Sequence, residues 1–128
     1  MTQASEGVEK VLFVAEDDQG WAGVVGGFRR LDPREVQLIS MWVDPRARGQ
    51  GVGQALIREV AAWARGLGSR RLVLFVQEVN TGGQALYLKA GFRPTGDRMP
   101  VGIGRPGFKL VFAASVDELL PAPSPVGE

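Results

Sequence analysis

The sequence predicts an α/β fold, and three observations predict it. Residues 52–67 carry an apolar stripe at helical spacing, with Val52, Leu56, Val60, Trp63 and Leu67 recurring every three or four residues. Apolar, strand-like runs lie directly before this stripe, at residues 36–43, and directly after it, at residues 71–77. Strand, helix, strand in that order makes a right-handed parallel unit. Shorter strand-like runs joined by turns flank the unit on both sides, so the sheet should be mixed.

Taken in order, residues 1–7 are small and polar, and a chain end of that kind frays. Residues 9–15 read as a strand because Val11, Leu12, Phe13 and Val14 are apolar, with β-branched and aromatic members. Asp17-Asp18-Gln19-Gly20 is a turn by composition. Residues 21–28 form the second strand of a hairpin, although Gly23, Gly26 and Gly27 point to a bulge or a close approach. A further turn holds Pro33, and Pro45 ends the strand at residues 36–43. Gly66 and Gly68 stop the long helix. The run Leu72-Val73-Leu74-Phe75-Val76 lacks polar alternation and should be buried on both faces.

Asn80 and Thr81 are candidate N-caps for a short helix at residues 82–90, closed by Gly91. Residues 92–98 and 108–114 read as two strands that can pair, with a glycine- and proline-rich loop at 100–107 between them. Beyond Val116 the chain holds three prolines and little apolar content after Leu120. This divides the chain into a domain at residues 1–115 and a mobile tail at 116–128.

Composition excludes several functions. A net charge of +1 in 128 residues supplies no field for nucleic acid or an anionic membrane. There is no histidine, hence no imidazole base or His-centred metal site. There is no cysteine, hence no thiolate chemistry, and a cytoplasmic location fits. No segment has the length and hydropathy of a bilayer span, and the N-terminus lacks a signal-peptide pattern. Gly102-Ile103-Gly104-Arg105-Pro106-Gly107 spells GxGxxG, but it contains proline and leads into a strand, whereas a dinucleotide fingerprint opens a helix.

The chemistry concentrates in the turn before the long helix. Val43-Asp44-Pro45-Arg46-Ala47-Arg48-Gly49-Gln50-Gly51-Val52-Gly53 sets three glycines and two arginines at a helix start. Glycines let backbone N–H groups converge, and the first helical turn adds unpaired N–H groups and a positive dipole end. The combination holds a phosphate or diphosphate. Arg46 and Arg48 can add charge-assisted contacts.

The spacing Arg48-x-x-Gly51-x-Gly53 resembles the acyl-CoA diphosphate loop of the GNAT family of N-acetyltransferases. A second stretch, with Asn80, then Tyr87, then Gly91-Phe92, matches the same family in register; Gly82-Gly83 depart from it, since helix formers are usual there. The resemblance covers residues 36–92. It implies a mostly antiparallel sheet splayed between the third and fourth strands, with acetyl-CoA in the V-shaped gap. It implies direct transfer of acetyl to a primary amine through a tetrahedral intermediate, with no metal. The family pattern puts the thioester arm on backbone N–H groups of Met41, Trp42 and Val43. It puts the diphosphate on those of Arg48, Gly49, Gln50, Gly51, Val52, Gly53 and Gln54. Asn80 would bond the pantetheine, and Tyr87 would lie beside the thioester and protonate the leaving thiolate.

Residue type alone leaves Tyr87 as a core aromatic and Asn80 as a helix cap. The base is the weakest assignment. Many members carry glutamate where this chain has Gln37, and Glu35, two residues earlier and on the same strand face, is the nominal substitute. GNAT domains commonly begin with a strand and one or two helices before the hairpin, and this chain begins almost at the hairpin. Exposed apolar sheet would then favour a homodimer. A second reading is a catalytically weak CoA-binding module with a regulatory or partner-binding role. The acceptor amine, small molecule or protein, is not named by the sequence.

Overall fold

The computed structural model describes residues 2–3, 10–30 and 34–120. Seven strands form one sheet: β1 (Thr2–Gln3), β2 (Lys10–Asp17), β3 (Gly20–Arg29), β4 (Glu35–Val43), β5 (Arg71–Gln77), β6 (Arg93–Gly102) and β7 (Arg105–Ser115). Their spatial order is β1-β2-β3-β4-β5-β7-β6, and β4–β5 is the parallel pair. Helix α1 (Val52–Gly66) crosses from β4 to β5, and α2 (Thr81–Ala90) follows β5. The expected α/β class and parallel unit are both present.

The stripe on α1 explains the core. Leu56, Ile57, Val60, Ala61 and Ala64 are all almost fully buried. They meet alternate residues of the strands: Val11 and Phe13 of β2, Val25 of β3, Val36 and Leu38 of β4, Leu72, Leu74 and Val76 of β5. The β3 glycines are where other elements come closest. A Cβ on Gly27 would sit 3.0 Å from the Trp63 ring, and one on Gly23 would sit 2.9 Å from the Trp42 carbonyl oxygen. Burying five large apolar side chains of α1 and β5 at about 1.5–3 kcal/mol each is enough to fix the helix on the sheet.

β5 is buried on both faces as its composition requires except at Phe75, which is half-buried on the face opposite α1; Leu72, Val73, Leu74 and Val76 are each at most 4% exposed. Tyr87 and Phe92 close the end of this core, with rings 5.9 Å apart in an edge-to-face arrangement.

Two expectations are corrected. The glycine- and proline-rich stretch at 100–107 is not an open loop: β6 runs to Gly102 and β7 starts at Arg105, so only Ile103 and Gly104 turn the hairpin. Gly104 supplies the positive φ (74°) that this tight turn needs. The chain beyond residue 115 is not all tail either. Val116–Leu119 forms a helical turn, α3, with a Ser115–Glu118 capping box, and Val116 and Leu119 are buried. The apolar content of two side chains was sufficient, and the prolines that signalled a tail all follow it. The expected tail from residue 121, the turn at Pro33 and most of the expected frayed start lie outside the described residues. Thr2 and Gln3 are paired with Val14 and Phe13.

Candidate active site

β4 and β5 diverge. They pair only at Glu35↔Arg71, Val36↔Leu72 and Gln37↔Val73. Past that apex β4 keeps its pairing with β3 as far as Val43, and β5 keeps its pairing with β7 as far as Gln77. Each strand is thus held on its outer side, and the inner edges open as a V.

β4 carries a bulge inside the V. Trp42 pairs with Val24 and Ile39 with Gly26, so Ser40 and Met41 together oppose Val25. Ser40 takes up the extra length with φ 56°, the one positive φ at a non-glycine among the described residues. Gly26 permits this, because a Cβ there would lie 2.9 Å from Ile39 Cγ1. Ser40 was not singled out from the sequence; the glycines of the neighbouring β3, Gly23, Gly26 and Gly27, were the signal of irregularity. Asp44 N–H donates to the Ala22 carbonyl, so by strand alternation Val43 N–H faces the V and Trp42 N–H faces β3.

The turn after β4 is built as the glycines demand. Asp44 caps a single 3-10 turn (Pro45–Ala47) by accepting from Arg46 N–H. Gly49 and Gly51 then take φ 79° and 83°, and Gly51 is the residue before α1. The backbone N–H groups of residues 49–54 find no acceptor among the described residues, the first intrahelical-type bond being Ala55 N–H to the Gly51 carbonyl. A Cβ on Gly53 would meet both Leu86 methyls at 3.1 Å, so this glycine lets the first turn of α1 close on the middle of α2.

A cleft of about 430 Å³ joins these parts. It is lined by Met41, Trp42, Val43, Arg48, Gly49, Gly51, Val52, Gly53, Gln54, Asn80 and Tyr87, all named from the sequence, and also by Ala47, Gly82, Gly83, Leu86 and Lys89. Lys89, one turn beyond Leu86 on α2, is a cation that the sequence pattern did not mark. Gln50 is not in the lining; its side-chain amide donates to the Arg46 carbonyl and braces the turn.

The arginines divide their work. Arg48 borders the cleft and its Nε donates to the Val43 carbonyl. Arg46 turns outward and is spent on structure: NH1 lies 2.6 Å from Asp17, and NH2 donates to the Trp21 carbonyl. The expected direct ligand contact from Arg46 is therefore replaced by an anchoring role.

Asn80 is the N-cap of α2, its Oδ1 accepting from Gly83 N–H at 2.9 Å. This leaves its amide N–H groups to face the cleft. The same contact accounts for Gly83, since a Cβ there would lie 2.6 Å from Asn80 Nδ2. Tyr87 is buried, yet its hydroxyl makes no hydrogen bond with any described residue while the ring borders the cleft. Burial pushes its pKa above the ordinary tyrosine value, so the proton stays on oxygen well past neutrality.

Glu35 is not brought to the cleft. It stands at the start of β4, below the apex, with its carboxylate between Arg71 NH1 at 2.6 Å and Arg30 Nε at 3.3 Å. Ser40 lies five residues further along, or about 16 Å at strand rise. The same-face spacing seen in the sequence is real, but position along the strand and two guanidinium partners make Glu35 an ion-pair anchor.

Comparison with known proteins agrees with this geometry. The family described as Acetyltransferase (GNAT) matches residues 3–92. The chain belongs to the GNAT acetyltransferase family. N-acetyltransferase 8F1 of Rattus norvegicus is 36% identical over 91 residues, spanning 68% of this chain and 41% of the relative. A putative phosphinothricin acetyltransferase, YwnH, of Bacillus subtilis is 33% identical over 89 residues, spanning 66% of this chain and 55% of the relative. The chain thus spans about two-fifths to just over half the length of these curated relatives. Among solved structures, a nourseothricin acetyltransferase superposes with TM-score 0.80 at 28% identity, covering 85% of this chain and 66% of that one. A putative streptothricin acetyltransferase of Bacillus anthracis, solved with acetyl coenzyme A, shares the fold with TM-score 0.78 at 19% identity, covering 85% and 64%. In this chain the splay, bulge and glycine turn therefore sit within a GNAT acetyltransferase fold.

Proposed function

We propose that this GNAT member transfers acetyl from acetyl-CoA to a primary amine by direct attack, without an acyl-enzyme. The carrying observation is the row of unclaimed N–H groups at residues 49–54, beside a cleft that Val43, Met41 and Tyr87 also line. Diphosphate binds at the turn, with Arg48 and Lys89 adding positive charge. The thioester arm lies along the open edge of β4, and Val43 N–H and the bulge beside it hold its amides and carbonyl. The amine attacks the thioester carbon and loses a proton to solvent. The carbon–sulfur bond breaks, and the Tyr87 hydroxyl gives its proton to the departing thiolate.

Calorimetric titration with acetyl-CoA and CoA tests the binding half. Release of free thiol from acetyl-CoA with a panel of primary amines tests the transfer half. Binding without thiol release would favour the second reading, a CoA-binding module with weak catalysis, which the engaged state of Glu35 and the presence of Gln37 support. A cytoplasmic location and a homodimer joined through the sheet face opposite α1 belong to the same proposal. That face shows half-buried Leu12, Val24 and Ile39, and a monomer by light scattering at micromolar concentration would remove the dimer.

A further inference from the structure

The sheet face opposite α1 is apolar along the β2–β4 side and cationic around the apex of the V. Strand alternation and register put Lys10, Phe28, Glu35, Gln37, Arg71, Val73, Phe75 and Lys109 on it. Three of its cations lie over its aromatic rings: Lys10 Nζ is 5.6 Å from the Phe28 centroid, Lys109 Nζ is 4.9 Å from that of Phe75, and Arg30 reaches the other side of the group at 6.0 Å from Phe75. Arg30 NH1 also donates to Gln37 Oε1.

The charge balance here is one-sided. Among the described residues, Lys10, Arg30, Arg71 and Lys109 face a single carboxylate, Glu35, which is already shared by Arg30 and Arg71. Lys109 and Lys10 have no carboxylate within ion-pair distance among the described residues. Phe75 and Ile39 are the first residues of this face past the last paired residues, Val73 and Gln37, so the cations border the opening of the V. Acetyl-CoA entering from the glycine turn leaves this side of the V to the second substrate.

We propose that the acceptor is an amine that also carries a carboxylate and an apolar group, an amino-acid-type acceptor, with Lys109 and Arg30 holding the carboxylate against Phe75. The inference rests on the acetyl-transfer reading above and deepens it. Two cations at the mouth draw a carboxylate and repel a polycation. The half-buried Phe75 and Phe28, at the apex end of this face and away from the Leu12–Val24–Ile39 patch, supply apolar contact for the rest of the molecule.

The test pairs L-phenylalanine with 2-phenylethylamine, which lacks only the carboxylate, and adds spermidine as a polycation. The readouts are kcat/KM for thiol release and, independently of turnover, calorimetric affinity of each amine for CoA-saturated protein. L-phenylalanine should exceed 2-phenylethylamine by about tenfold in either readout, with spermidine weakest. Lys109→Met should shrink that ratio at least threefold, and an unaltered acetyl-CoA affinity verifies that the cleft is intact. Equal or reversed order of the two aromatic amines overturns the proposal, as does a ratio that Lys109→Met leaves unchanged. Failure of acetyl-CoA to bind at all would instead strike the transfer reading, while the affinity comparison on the protein alone would still judge the acceptor class.

Discussion

Arg46, in the phosphate turn, closes to 2.6 Å on Asp17 at the end of β2, and its second nitrogen holds the Trp21 carbonyl across the same gap. The glycine turn, proposed above to hold diphosphate, is thereby tied to the hairpin at the other side of β3. Asp17 is held below the usual carboxylate range, chiefly by this hydrogen bond and next by the Gln19 N–H. Arg46 is raised in turn, again chiefly by Asp17. Asp17→Ala should loosen the turn and weaken acetyl-CoA binding about threefold, an effect that shrinks in high salt because the pair is solvent-exposed. A carboxyl with a depressed folded pKa contributes above its unfolded value and loses that contribution as pH falls through the folded one. The contribution of the clamp to binding should therefore hold through neutrality and fade only below the ordinary aspartate range. Calorimetry across salt and pH reads both.

Removing the Tyr87 hydroxyl, the proposed proton donor, separates chemistry from binding. Tyr87→Phe keeps the ring against Phe92 and deletes a hydroxyl that has no partner among the described residues, so stability and acetyl-CoA affinity should barely move. The transfer rate should drop about a hundredfold. Burial raises the tyrosine pKa, so the wild-type rate should persist through the ordinary tyrosine range before falling on the alkaline side. A variant with the wild-type rate removes Tyr87 from the mechanism.

Gly51 sits at φ 83° with open space around a would-be Cβ, so strain alone decides the effect of adding one. Gly51→Ala should cost about 1–2 kcal/mol if the turn keeps its shape. If the turn relaxes to avoid that cost, the N–H groups diverge and acetyl-CoA affinity falls. Thermal unfolding and titration on the same sample distinguish the two, and no change in either would refute the role of the turn.

Glu35→Gln should leave the shape of the pH–rate profile unaltered, because the carboxylate is engaged by Arg30 and Arg71 below the apex. The expected consequence is a small loss of stability, under about 1 kcal/mol for a partly exposed group. Disappearance of the acidic limb of the profile would return Glu35 to the mechanism as a base.

Much of this protein was legible before any coordinates. The α1 stripe, the turn glycines, the caps at Asn80 and Gly91 and the doubly buried β5 each follow from rules that act within a few residues: helical period, left-handed φ, side-chain capping and the lack of polar alternation. The glycine turn follows from the same local rules, because a helix start carries its N–H groups wherever it goes; Met41, Trp42, Val43, Asn80 and Tyr87 were marked only by the resemblance to the GNAT family. What only the tertiary structure decided depends on residues far apart in the chain. The β4 bulge sets Ser40 and Met41 against the single Val25 of β3, Arg46 turns outward because Asp17 waits 29 positions earlier, and Glu35 is claimed by Arg71 from 36 positions later. Sequence spacing sets which face a side chain occupies; which partner it meets there is fixed by strand register, and register is settled by the packing of the whole sheet.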